Sequence, residues 1–141
     1  MSSIVTVETT ELRFPSRIKA VDEVAFAVSE FLNRAGVSDD LAWGIDMAVR
    51  EAVTNAVLHG NKLDESKFVE VSLRSFPGTF EIDVHDQGPG FNPSEIPDPT
   101  KEENILKTSG RGIFFMRSFM DEVDWSVGSE GGTTVRMSKK L

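Results

Sequence analysis

The sequence points to an α+β two-layer sandwich, with a mixed, mostly antiparallel sheet covered on one face by helices. Two observations lead there. Over two early stretches the apolar residues recur at steps of three and four, the spacing of helices with one buried face. Two later pairs of stretches switch to alternation, each pair joined by a glycine-bearing turn, as in antiparallel hairpins. Elements segregated along a chain in this way stack as two layers around one core. With 141 residues, positions 1–141 are read as a single domain.

The elements follow in order. Ile4 to Phe14 carries β-branched residues with partial alternation, Val5 and Val7 and then Leu12 and Phe14, which predicts an extended segment. After Pro15-Ser16, residues Ile18, Val21, Val24, Val28, Phe31 and Leu32 build an apolar stripe, and Gly36 sits where a helix cap belongs. Ser38-Asp39-Asp40 opens a second helix: the hydroxyl accepts orphan amide protons, and the aspartates favour the positive helix end. Leu41, Ile45, Ala48, Ala52 and Ala56 trace one face of that helix, which is expected to run to about His59. Val69, Val71 and Leu73, then Phe80, Ile82 and Val84, alternate with polar residues around Pro77-Gly78, a pair suited to the centre of a type II turn. The loop from Gln87 to Gly110 is too long for a simple connector and reads as a functional lid. Ile113 to Met120 predicts a short helix. Val123, Trp125 and Val127, with Thr133, Val135 and Met137, predict a second hairpin around Gly131-Gly132.

Composition narrows the function. Fifteen basic and 23 acidic side chains give a net charge of −8, which argues against binding a nucleic-acid backbone directly. No apolar run approaches the roughly 20 residues of a bilayer span, and the first residues lack the pattern of a secretion signal. A cytoplasmic address without membrane contact is therefore expected. Without cysteine there is no disulfide framework, thiolate zinc site or thiol nucleophile, and two histidines are too few to argue for zinc. A run ending in Gly-Lys-Ser/Thr is absent, and the glycines at 88 and 90 lack the spacing of a dinucleotide fingerprint.

Four constellations remain. Glu51 and Asn55 stand at i and i+4 on the second helix, so carboxylate and amide share one face beside small alanines. An exposed glutamate with an incidental asparagine is the plain alternative. A carboxylate suits a general base, and an amide oxygen is a hard ligand for Mg²⁺. Asp86-Gln-Gly-Pro-Gly90 follows directly on a strand: either an ordinary turn, or a carboxylate placed to accept from an exocyclic amine with Gly88 and Gly90 letting backbone approach a flat ligand. Ser109-Gly-Arg-Gly112 precedes a helix, as a hinge or as a cradle of amides for phosphate. Gly131-Gly-Thr-Thr134 enters the last strand. If the chain is an enzyme, phosphoryl transfer is the chemistry these residues best support.

In this order the four pieces resemble the Bergerat-type ATP-binding fold, and most closely the single-domain anti-sigma factor serine/threonine kinases of bacteria. Glu51 to Gly60 resembles the N box, Asp86 to Gly90 the first glycine box, Ser109 to Ile113 the second, and Gly132 to Arg136 the last. The resemblance implies Glu51 as general base and Asn55 as ligand of the Mg²⁺ that bridges the phosphates of ATP, with His59 nearby. It implies Asp86 as the partner of the adenine amino group, supported by Thr133 or Thr134 through water. Gly88, Gly90, Gly110 and Gly112 would line ring and phosphates, Arg111 would reach the γ-phosphate or a partner, and residues 91–109 would form the ATP lid. It further implies an anti-sigma-factor antagonist as substrate, a sigma factor as a sequestered partner, and a homodimer. The first helix departs from the pattern: Ala25 stands where the family carries a partner-contacting arginine, with Arg17 and Arg34 as substitutes. A nucleotide-responsive binding module with little turnover, and a kinase acting only on antagonist-like domains, stay open as alternatives.

Overall fold

The computed structural model describes residues 8–88, 108–128 and 131–141, of which 108–113 are described by backbone alone. Strand β1 (Glu8–Pro15) leads into α1 (Lys19–Arg34) and α2 (Asp39–Thr54), which continues through a π-helical turn at Asn55–Gly60. The hairpin β2 (Phe68–Phe76) and β3 (Thr79–His85) follows, then α3 (Thr108–Phe119) and the hairpin β4 (Glu122–Val127) and β5 (Thr133–Lys140). The sheet order is β1-β2-β3-β5-β4. Every pairing among these strands is antiparallel, because both hairpins reverse direction and β5 returns beside β3 the opposite way. The sheet is thus the mostly antiparallel one expected, with no parallel ladder among the described strands.

Alternation decides which face of the sheet is covered. Val69, Val71 and Leu73 of β2, Phe80, Ile82 and Val84 of β3, and Val135 and Met137 of β5 are buried together with Val24, Val28, Phe31 and Leu32 of α1. Ile45, Ala48, Val49, Ala52 and Val53 of α2 complete this core. Each large side chain so buried contributes about 1.5–3 kcal/mol relative to exposure. Phe31 and Phe80 tie helix to sheet with ring centroids 5.9 Å apart. Ile18, assigned by its spacing to the buried stripe, is instead exposed, because it precedes the first turn of α1. Ser38 caps α2 as expected, its hydroxyl accepting from the Leu41 amide.

The opposite face of the sheet carries charge. Arg74 on β2 donates to Glu81 at 2.8 Å and approaches Asp83 at 3.0 Å, while Arg136 on β5 donates to both oxygens of Asp83. Burial pushes the Asp83 carboxyl up, but the hydrogen bonds from Arg136 and Arg74 outweigh it and hold the group below the ordinary carboxylate range. Helix α3 begins at Thr108, so Ser109-Gly-Arg-Gly112 lies within its first turns and not ahead of the helix as the sequence suggested. Glycine disfavours helix by about 1 kcal/mol per residue. Tertiary packing overrides that preference: Met116 and Met120 are buried, and Gly44 of α2 leaves room for the Phe119 ring. No helix among the described residues is long and apolar enough to cross a membrane.

Candidate active site

Asp86 stands at the end of β3 and is 4% exposed. Its Oδ1 accepts the Gly88 amide at 2.9 Å and the Thr133 amide at 3.3 Å, which fixes the carboxylate between two loops. Its Oδ2 faces Gly60, where an added Cβ would stand 2.3 Å away. A Cβ on Gly88 would stand 1.9 Å from the Gly60 carbonyl oxygen, and one on Gly132 would stand 2.4 Å from that of Asp86. The end of the π-helical turn, the loop after β3 and the turn before β5 therefore meet backbone to backbone, an approach only glycine permits. Burial pushes the Asp86 carboxyl above its ordinary value, and the amides of Gly88 and Thr133 pull it part of the way back. A buried, perturbed carboxylate at the meeting point of three loops has the character of a binding group.

The two threonines separate. Thr133 is buried on the Asp86 side of β5, and its Oγ1 has no hydrogen-bond partner among the described residues. Buried hydroxyls are normally satisfied, so this one is suited to a ligand or a bridging water. Thr134 points to the other face of the sheet, where its Oγ1 lies 2.8 Å from His85 Nδ1. The strand period of two sends neighbours to opposite faces, so the structure brings Thr133 and not Thr134 to Asp86.

Glu51 and Asn55 are both half-buried and straddle the junction of α2 with the π-helical turn, beside buried Ala48, Ala52 and Ala56. Such π turns inside helices occur frequently at functional sites. His59, in the same turn, is exposed. The backbone of Gly110, Arg111 and Gly112 lies in the first turns of α3; Gly110 falls among the leading positions whose amides lack intrahelical partners, and Gly112, the fifth residue, lies beyond them. Gly90 and residues 91–107 of the expected lid lie outside the described residues, and Thr108 and Ser109, expected as the end of that lid, belong to α3. Among the described residues no cluster of three or more His, Cys, Asp or Glu side chains is placed to hold a metal.

Gly60 and Asn61 escape the sequence reading as site residues. Gly-Asn directly after His59 is the signal for them, but what packs on it is decided by the tertiary fold. On α1, Ala25, expected at the place of a partner-contacting arginine, is 2% exposed, whereas Arg17 and Arg34 are exposed and Arg34 approaches Glu8 at 3.6 Å.

Residues 14–139 match the family described as histidine kinase-like ATPase domain. The chain is 34% identical to the serine-protein kinase RsbW of Staphylococcus epidermidis, over 96% of this chain and 89% of that one. It is 33% identical to the protein of that name in Staphylococcus aureus, over 93% and 86%. Among solved structures it resembles the RsbU and RsbW domains of a Mycobacterium tuberculosis protein with a TM-score of 0.71 at 21% identity. That likeness covers 95% of this chain, which spans 32% of the larger protein. The SiaB–SiaC complex from Pseudomonas aeruginosa gives 0.70 at 13% identity, over 92% and 88%. At these identities the structural likenesses speak for the fold.

Proposed function

The chain belongs to the histidine kinase-like ATPase domain family and, by its serine-protein kinase relatives, to the serine/threonine kinases; from that premise we propose that it phosphorylates an anti-sigma-factor antagonist with Mg-ATP and sequesters a sigma factor. The observation that carries the nucleotide site is the buried Asp86 carboxylate held among Gly60, Gly88 and Gly132 beside an unpartnered Thr133 hydroxyl. Adenine offers an exocyclic amine donor where guanine offers a carbonyl oxygen. A carboxylate that already accepts two amides through Oδ1 keeps lone pairs on Oδ2 for that donor, and Thr133 Oγ1 serves the ring through a water.

Glu51, Asn55 and Gly60 succeed one another along α2 and its π-helical turn, so in this reading the base lies at the Gly60 end and the terminal phosphate toward Glu51. Asn55 offers an amide oxygen of the hardness Mg²⁺ prefers, and a bound Mg²⁺ would neutralise phosphate charge during transfer. Glu51 takes the proton of the antagonist's serine or threonine hydroxyl as its oxygen bonds to the γ-phosphorus and the bond to the β,γ-bridging oxygen breaks, leaving ADP. The amides that open α3, Gly110 among them, favour the phosphate chain at a helix N-terminus, with Gly112 further in along the same turn. Gly90, residues 91–107 and Arg111 carry the phosphate-binding roles that the family resemblance implies.

Incubation with γ-labelled ATP, magnesium and an antagonist-like domain should transfer label to that domain. Glu51→Ala should bind ATP and transfer none. Absence of transfer from the unaltered chain, with ATP bound, would favour a nucleotide-responsive binding module. Co-precipitation of a sigma factor in the presence of ATP or ADP tests the sequestration, which the buried Ala25 makes the weakest part of the family pattern in this chain.

A further inference from the structure

Asn61, next to the candidate site, is 1% exposed, and it uses both ends of its amide. Its Nδ2 donates to the Ser16 hydroxyl and, at 3.0 Å, to the Phe68 carbonyl; its Oδ1 accepts the Gln87 amide at 2.7 Å. The Gln87 side chain returns the connection, its Oε1 accepting the Phe68 amide at 2.7 Å. Ser16 in turn donates to the Lys67 carbonyl through both its amide and its hydroxyl. One side chain thus joins the end of β1, the start of β2, the loop after β3 and the end of the π-helical turn.

The backbone around Asn61 is held at some cost. Lys62 and Leu63 both take left-handed conformations, with φ of 53° and 60°, which non-glycine residues adopt reluctantly. They are kept there by the bonds of Asn61 and Leu63 amides to the Ala56 and Val57 carbonyls, both 2.8 Å, so the chain reverses sharply and drives Asn61 inward. Gln87, whose amide Asn61 holds, lies between Asp86 and Gly88, and Gly60 directly precedes Asn61. The contacts that clamp the Asp86 carboxylate therefore depend on both neighbours of this amide.

We infer that Asn61 is a positioning residue for base recognition: by holding the Gln87 amide against the end of the N-box helix it aims Asp86 at the adenine. The inference rests on the reading of Asp86 above, and its test separates the two. Affinities for Mg-ATP and Mg-GTP are measured by calorimetry for the unaltered protein, Asp86→Asn, Asn61→Ala and the double variant. Asn61→Ala should lower the ATP-over-GTP preference about tenfold, the scale of one buried polar group left unsatisfied. The double variant should be no less selective than Asp86→Asn alone, because Asn61 acts through Asp86. A merely structural asparagine would weaken both nucleotides equally or lower the melting temperature alone, and either result overturns the inference. So does an additive double variant. If Asn61→Ala does not fold, Ser16→Ala removes one acceptor of Nδ2 and should lower the preference about threefold, an unchanged preference overturning the inference. A lack of ATP preference in the unaltered protein, or its survival in Asp86→Asn, overturns the parent reading and the inference with it.

Discussion

The Asp86 carboxylate lies directly against the Cα of Gly60, leaving no volume for a methyl group: a Cβ at position 60 would stand 2.3 Å from Oδ2 and 2.4 Å from the carboxyl carbon. Asp86 cannot swing away cheaply, because its Oδ1 is tied to two backbone amides. Gly60→Ala should therefore displace the carboxylate, weakening ATP binding at least tenfold, while destabilising the fold by about 1–3 kcal/mol as overpacking does. Titration of ATP alongside thermal denaturation checks both. ATP affinity equal to that of the unaltered protein would mean that Asp86 is not the base-recognising group.

Asp86 should also show a trade of stability against function. Its folded carboxyl is raised, chiefly by burial, so its contribution to stability is greatest in acid and is lost as pH rises through the folded value. At neutral pH the nucleotide-free protein carries that cost. Asp86→Asn retains an oxygen for the Gly88 and Thr133 amides and removes the charge. Its melting temperature should exceed that of the unaltered protein at pH 7, with the gain vanishing near pH 4 and below, while ATP binding falls. Melting curves across pH, without nucleotide, decide it.

These two predictions show where the sequence was legible and where it was not. The alternation of Val69, Val71 and Leu73 with Glu70, Ser72 and Arg74 reveals the buried face of β2, because the period of two is fixed by the strand itself. The same arithmetic leaves Thr133 and Thr134 unresolved until register and face are known, and the bond from Thr134 to His85 is what separates them. Asn61 follows a predicted helix end and reads as a loop residue; its burial comes from partners 7, 26 and 45 positions away. The early start of α3 was hidden because Gly110 and Gly112 oppose helix locally, and the packing that wins is tertiary.

The charged face of the sheet gives a prediction with the opposite character. Arg74 is 19% exposed and serves both Glu81 and Asp83, so Arg74→Leu leaves two half-buried carboxylates short of a partner. The expected loss is about 1–2 kcal/mol, below the figure for fully buried pairs because these groups keep some solvent. Arg136, 58% exposed, should cost under about 1 kcal/mol on truncation. Asp83 is held low once its hydrogen bonds outweigh burial, so its contribution is present above the unfolded value and is lost as pH falls through the folded one. Asp83→Asn should accordingly remove part of the loss of stability on acidification. ATP affinity should be unchanged in all three, since the network faces away from Asp86 and Thr133; a tenfold change in any of them would show that the two faces are coupled.

Glu51 and Asn55 occupy neighbouring turns of one helix but should fail differently. Asn55→Ala removes an amide oxygen suited to Mg²⁺, so it should weaken Mg-ATP at least tenfold and leave the affinity for ATP in EDTA within about twofold. Arg111→Ala should weaken Mg-ATP less than Asn55→Ala does. Glu51→Gln keeps the shape and loses only the base, so Mg-ATP should bind as before while phosphoryl transfer falls by about 10²–10⁴. Calorimetry with and without magnesium, followed by single-turnover transfer to an antagonist-like domain, distinguishes the three. If Glu51→Gln transferred phosphate at the unaltered rate, the hydroxyl's proton would have another acceptor. If Asn55→Ala bound Mg-ATP normally, the metal would be held from elsewhere in the site.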